Sequence, residues 1–190
     1  MLFKTYNMCI KYTYSERSFM NLYLDFDGVI ADTIVVTYKM IEERGIDIND
    51  RPKVCEFYRT LNWFNLLSNI DQINNSIKYI KKLQSSGLYN MAILTTVNSL
   101  EEISAKKEYI RKFGLNLPII SVPKGVSKSE LVDAKQAILV DDYGGNLYPW
   151  EKAGGIGVKF SNKESNEFIT ISSLSELSNS KFVKKLIKKI

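Results

Sequence analysis

The chain has no histidine and only two cysteines, Cys9 and Cys55, among its 190 residues. This excludes Ser-His-Asp and Cys-His catalysis, Cys/His zinc sites and any disulfide framework, and it suits a reducing compartment. No uninterrupted apolar stretch approaches the roughly 20 residues that span a bilayer. A signal-peptide core is also lacking, because Lys4, Asn7, Lys11 and Glu16 interrupt the N-terminal segment. Lys4, Lys11 and Arg17 against one acid would suit a transit peptide, but the apolar residues between them form no clear helical face. The expectation is a cytoplasmic protein without a membrane span. Its chemistry must run on Asp, Glu, Lys, Ser, Thr or Tyr.

An excess of one charge is missing from the body as well. The formal charge is +5, and Lys181, Lys184, Lys185, Lys188 and Lys189 account for all of it. Phe182, Val183, Leu186, Ile187 and Ile190 alternate with them, so residues 181–190 read as a basic amphipathic C-terminal helix docked on the body. A nucleic-acid partner is not expected. With 45% apolar and 25% charged residues the whole sequence has the make-up of one globular domain. A chain of this length buries roughly 70% of its unfolded surface and needs no staple.

Short apolar runs alternate with amphipathic stretches. Leu22-Tyr23-Leu24 reads as a strand stopping at Asp25-Phe26-Asp27-Gly28, and a helix with an Ile34, Val35, Tyr38, Ile41 stripe follows to Gly45. A second helix carries Ile73, Ile77, Ile80 and Leu83. Then come a strand at Met91 to Leu94 ending in Thr95-Thr96, a helix opened by a Ser99/Glu102 capping box, and a strand at Pro118 to Val122. A short helix opened by Ser127/Glu130, a strand from Ala137 to Val140 ending in Asp141-Asp142, a helix to Gly154-Gly155 and a strand from Ile156 to Phe160 complete the series. Such alternation predicts an α/β fold, a doubly wound parallel sheet with right-handed crossovers.

The gap from Asp27 to Met91 exceeds what one crossover requires, so a small helical cap is expected after the first strand and helix. The predicted organisation is an N-terminal extension (1–19), a core (20–44 and 73–180), a cap insertion (45–72) and the basic helix (181–190). Residues 1–19 hold no motif residue and no clear period.

In open parallel sheets the ligand crevice lies beyond the carboxyl ends of the strands. Asp25, Asp27, Thr95, Asp141 and Asp142 all stand at such ends, and four acids in one crevice suggest a hard cation, Mg²⁺. A lysine from the loop after the third strand, Lys124 or Lys128, should join them. Lys128 is preferred because it opens the following helix and can point back over the strand ends.

The ordered set LYLDFDGV, AILT, a lysine in SVPKGVSK, and AILVDD resembles the haloacid dehalogenase superfamily of phosphohydrolases over about residues 20 to 160. LDFDGVIADT together with LVDDYGGNLYPWEKAGGIGVKF is similar to its 5′-nucleotidase, or deoxyribonucleotidase, branch. The resemblance implies an Mg²⁺-dependent phosphatase with Asp25 as nucleophile and Asp27 as acid and base, its proton retained by neighbouring charge. It implies metal ligation by Asp25, the Asp27 carbonyl and Asp142 with Asp141 in support, and phosphate binding by Thr95, Thr96 and Lys128. The substrate implied is a nucleoside monophosphate. Trp63 and Phe64, in the expected cap, are candidates for stacking on the base. The alternatives are a phosphatase for a sugar phosphate or other small metabolite, and a non-catalytic binding protein of the same fold. Trp150 is expected in the core.

Overall fold

The computed structural model describes residues 20–187, so the expected N-terminal extension and residues 188–190 lie outside the described residues. Six strands form one all-parallel sheet: β1 (Met20–Leu24), β2 (Tyr89–Val97), β3 (Ile119–Pro123), β4 (Ile138–Asp141), β5 (Ile156–Phe160) and β6 (Ile169–Ile171). Their order is β3-β2-β1-β4-β5-β6. The direction of winding reverses between β1 and β4, which is where a doubly wound sheet opens its crevice. The doubly wound α/β prediction and its first five strands agree with this sheet.

Helices cover both faces, so the central strands are apolar on both sides. Along β4, Ile138 and Val140 join the core beneath one face while Leu139 joins the smaller core of Leu94, Val122, Leu147 and Trp150 on the other. Trp150 is fully buried and its indole N–H donates to the Ala137 carbonyl at 3.1 Å. A side chain at Gly155 would collide with that indole, and Gly154 has φ of +88°, which together account for the glycine pair there.

β6 was not foreseen. It has only three residues and follows a polar run, too little for an apolar period to show. The segment between β1 and β2 holds α1 (Thr33–Glu43), α2 (Arg51–Thr60), α3 (Trp63–Ser68) and α4 (Ser76–Ser86). The chain leaves and returns side by side: Asp32 N–H donates to the Asp71 carbonyl at 3.1 Å, Ile73 N–H to Ile30 at 3.0 Å, and Ala31 bridges Gln72. Pro52 stands in the first turn of α2, where its missing N–H costs nothing, and Asp50 caps that helix at Lys53 N–H.

The remaining helices are α5 (Leu100–Lys112), α6 (Lys128–Leu131), α7 (Gly144–Lys152) and α8 (Ser180–Ile187). α3 packs across α5. The Ser127/Glu130 capping box is present. At α5 only half of the expected box forms: Ser99 accepts from Glu102 N–H, but the Glu102 carboxylate is turned inward to Asn98 and Lys106. α8 begins one residue before the expected basic helix and covers its residues 181–187, with Leu186 fully buried. Among the described residues no helix is long and apolar enough to cross a membrane.

Candidate active site

Asp25 immediately follows β1, and its N–H extends the ladder to β4 by donating to Val140 at 2.9 Å. Its carboxylate therefore sits beside the end of β4, over a hundred residues away. Asp25 Oδ1 accepts from Phe26 N–H at 2.8 Å and pairs with the Lys128 ammonium at 2.9 Å. No described residue donates to Oδ2. Lys128 also pairs with Asp141 Oδ2 at 2.6 Å. Asp141 is fully engaged by the protein, since Tyr143 N–H donates to Oδ1 at 2.9 Å and the Asn146 amide reaches both oxygens.

Asp142 is different. Among the described residues none donates to its carboxylate, which lies against Gly28, while its carbonyl accepts from Lys159. Gly28 has φ of +72°, and any Cβ there would stand 2.5 Å from Asp142 Oδ2, so the turn after Asp27 needs glycine for both conformation and space.

One oxygen from each of Asp25, Asp141 and Asp142 lies within 4.8 Å of the others. Burial raises Asp25 to about 7, with Asp141 and Asp27 adding to the rise and Lys128 opposing it. Burial likewise raises Asp142 to about 6, again with Asp141 adding to it. The uncompensated negative charge and hard oxygen donors suit a divalent cation such as Mg²⁺. Burial works to lower the Lys128 ammonium, but Asp25 and Asp141 outweigh it and raise it.

Asp27 faces the other way. Its Oδ1 accepts from Thr33 Oγ1 at 2.7 Å, and its Oδ2 from Lys106 Nζ at 2.5 Å and more distantly from Thr95 Oγ1 at 3.4 Å. Thr95 is fully buried in this cluster and accepts from Lys106 at 3.0 Å. The charge nearest Asp27 is thus a cation, where the sequence reading looked for the neighbouring acids. Beside Asp27 opens a cavity of about 330 Å³, lined among others by Tyr38, Tyr58, Thr96, Asn98 and Lys124. A second cleft, of about 620 Å³, flanks Asp142 on the other side. The two candidate lysines are now distinct: Lys128 is buried between Asp25 and Asp141, and Lys124 is exposed at the rim of the Asp27 cavity.

The expected aromatic pair is divided. Trp63 borders the Asp27 cavity but is only 2% exposed; its N–H donates to the Tyr58 carbonyl, Tyr58 stacks on it at 6.3 Å, and the Lys106 ammonium lies 5.3 Å from its ring. Little of the ring is left for a base. Phe64 is 42% exposed but lines a separate depression on the outer side of α5 with Glu108 and Lys112. The structure thus places Phe64 apart from the Asp27 cavity. Adjacent residues on a helix point about 100° apart, and here that turns Trp63 and Phe64 toward different depressions.

Lys106 and the inward-turned Glu102 were missed. The available signal was Glu102, Lys106, Tyr109 and Phe113 recurring along one helical stripe of α5, which places two charges in line with aromatic core residues.

Compared as a sequence, the chain matches no family model and no curated protein. Its fold does have counterparts among solved structures. A hydrolase from Pseudomonas syringae superposes with a TM-score of 0.59 over 89% of this chain and 98% of its own, at 10% identity. β-Phosphoglucomutase from Clostridium difficile gives 0.59 over 90% and 98%, at 15% identity. A haloacid dehalogenase (HAD) hydrolase of family IA from Entamoeba histolytica gives 0.60 over 89% and 99%, at 13% identity. The fold is that of the HAD hydrolases. Within the HAD fold the Asp25, Asp27, Asp141 and Asp142 group occupies the crevice at the reversal of strand order, where doubly wound sheets bind ligands.

Proposed function

We propose that the chain is an Mg²⁺-dependent phosphomonoester hydrolase working through an aspartyl-phosphate. The observation that carries this is the asymmetry of Asp25: Oδ1 is held by Phe26 N–H and Lys128, while Oδ2 takes no bond from the described residues. A carboxylate fixed by one oxygen and bare at the other is arranged as a nucleophile. The resemblance of the four sequence motifs to HAD phosphohydrolases supports the same reading.

Mg²⁺ would be held by Asp25, Asp142 and the Asp27 carbonyl, with Asp141 in support. When bound it supplies positive charge against the phosphoryl oxygens. Asp25 Oδ2 attacks phosphorus, the ester P–O bond breaks, and the leaving oxygen takes a proton from the Asp27 carboxyl. Water then attacks the aspartyl-phosphate and loses its proton to Asp27, releasing phosphate and restoring Asp25. Lys128 keeps Asp25 oriented throughout and, with Thr95 and Thr96, forms the phosphate-facing wall.

For the leaving group we propose a nucleoside monophosphate, on the likeness of LDFDGVIADT and the Asp141 to Phe160 segment to 5′-nucleotidases. The Asp27 cavity of about 330 Å³ would take a nucleoside, with Tyr38 and Tyr58 as its aromatic surface in place of Phe64. A sugar phosphate is the second reading. It is favoured by the covered face of Trp63 and by neighbours named as β-phosphoglucomutase and D,D-heptose 1,7-bisphosphate phosphatase.

A phosphate-release screen over nucleotides and sugar phosphates, with and without Mg²⁺, tests the proposal and separates the two substrates. Asp25→Asn should abolish turnover, and substantial hydrolysis by that variant defeats the covalent route.

A further inference from the structure

Lys106 is fully buried and plays no part in the steps above. Its ammonium lies 2.5 Å from Asp27 Oδ2, 2.7 Å from Glu102 Oε1, 3.0 Å from Thr95 Oγ1 and 3.3 Å from the Thr96 carbonyl. An ammonium has three protons, so four acceptors leave none for a substrate oxygen. Glu102 is itself buried, and its other oxygen accepts from Asn98 N–H at 2.7 Å and from the Asn98 amide at 3.0 Å. Lys106 is therefore gripped from behind by its own helix, one turn back, and presses forward on one oxygen of Asp27. Thr33 holds the other oxygen from the start of α1 at 2.7 Å.

Stability alone does not call for this cluster. Glu102 and Lys106 form a buried ion pair whose desolvation is costly, and apolar residues of equal volume commonly serve a fold as well or better. What the cluster does provide is direction. Asp27 held at both oxygens is fixed in its side-chain torsions, and proton transfer to a leaving oxygen depends on that orientation.

We propose that Lys106, clamped by Glu102, is a positioning residue that fixes the orientation of the Asp27 carboxylate. It acts through Asp27 and does not touch substrate. The inference rests on the phosphatase reading for its kinetic consequence, though not for the orientation itself. Because the same ammonium lies 5.3 Å from the Trp63 ring, α3 bears on that orientation too.

The test variant is Lys106→Met with Glu102→Gln, which removes one charge of each sign and leaves Asp27 itself unaltered. With p-nitrophenyl phosphate and saturating Mg²⁺, kcat should fall by at least about tenfold while KM stays within about twofold, the pattern of a lost orientation. A KM that rises with kcat unchanged would make Lys106 a substrate contact and overturn the proposal, as would no change in either. Lys106→Arg keeps the charge and serves if the double variant does not melt cooperatively. A planar guanidinium cannot reproduce the ammonium's contacts to Asp27, Glu102 and Thr95, so kcat should again fall at constant KM, and full activity would overturn the proposal.

Crystal structures of the unmodified and variant proteins read the orientation without turnover. An Asp27 carboxylate that keeps its rotamer in the variant overturns the positioning role even if every activity is normal. An unmodified chain that hydrolyses no phosphomonoester, yet whose Asp27 turns in the variant, defeats the phosphatase reading and leaves the positioning role standing.

Discussion

Lys128 stands 2.9 Å from Asp25, and because it also reaches Asp141 at 2.6 Å, one buried ammonium ties the end of β1 to the end of β4. Removing it would leave two buried carboxylates facing each other without a counter-charge. Lys128→Met should therefore cost about 3–5 kcal/mol of stability as well as activity. Lys124→Met, at the exposed rim, should leave stability within about 0.5 kcal/mol of the unmodified protein. Denaturant melts of the two variants decide this, and equal losses would show that the buried pairing has no special weight.

The raised acids set a pH dependence whose sign follows from linkage. Asp25 titrates at about 7 and Asp142 at about 6 in the folded chain, against an ordinary carboxylate value of 3.8 when unfolded. Between these values the folded state holds more protons, so stability falls as pH rises. The metal-free protein should lose stability from about pH 4 to about pH 7 through these two groups. Mg²⁺ binds the ionised acids, so it should raise the melting temperature more at pH 8 than at pH 5. Melting curves with and without Mg²⁺ at both values check this, and a larger effect at pH 5 contradicts the metal assignment.

The division of the aromatic pair predicts unlike phenotypes. Phe64→Ala should leave kcat/KM for every substrate unchanged. Trp63→Ala should cost about 3–5 kcal/mol of stability by opening a cavity beneath Tyr58 and Lys106. Thermal melts and kinetics on both variants settle it: a selective loss of nucleotide turnover in Phe64→Ala would restore that residue to the crevice.

Buried hydroxyls without partners offer a further stability test. Among the described residues nothing hydrogen-bonds the buried Tyr109 Oη, and burial pushes the phenol up to about 12. Tyr109→Phe removes a polar atom that nothing satisfies, so it should be neutral or stabilising by up to about 1 kcal/mol. A clear loss of stability would mean that the hydroxyl has a bonded partner, such as an ordered water.

Much of the sheet was legible because strands buried on both faces announce themselves as apolar runs, as Ala137 to Val140 does, and because three of those runs end in the residue types a phosphate crevice would use. Less legible was anything decided by burial across elements. Glu102 and Lys106 stand one turn apart on α5, a spacing that on most helices marks a solvated ion pair. Only the packing of α3 over α5 and the arrival of Asp27 from β1 make them interior. Trp63-Phe64 misled for a similar reason: two neighbours in sequence look like one surface, while the helix sends them to different sides.

The paired strands of chain at Ala31 to Ile73 have a mechanical meaning. Because the outgoing and returning segments are bonded to each other, α2 and α3 hang from one leaf of hinge instead of two loose tethers. Thr33, the first residue beyond that leaf, is bonded to Asp27. A swing of these helices away from α5 would lift Trp63 off Lys106 while the root of the hinge stays fastened to Asp27. Such a swing would open the cavity without releasing Asp27, which Thr33 and Lys106 would still hold, so a ligand could be admitted with the carboxylate already aimed.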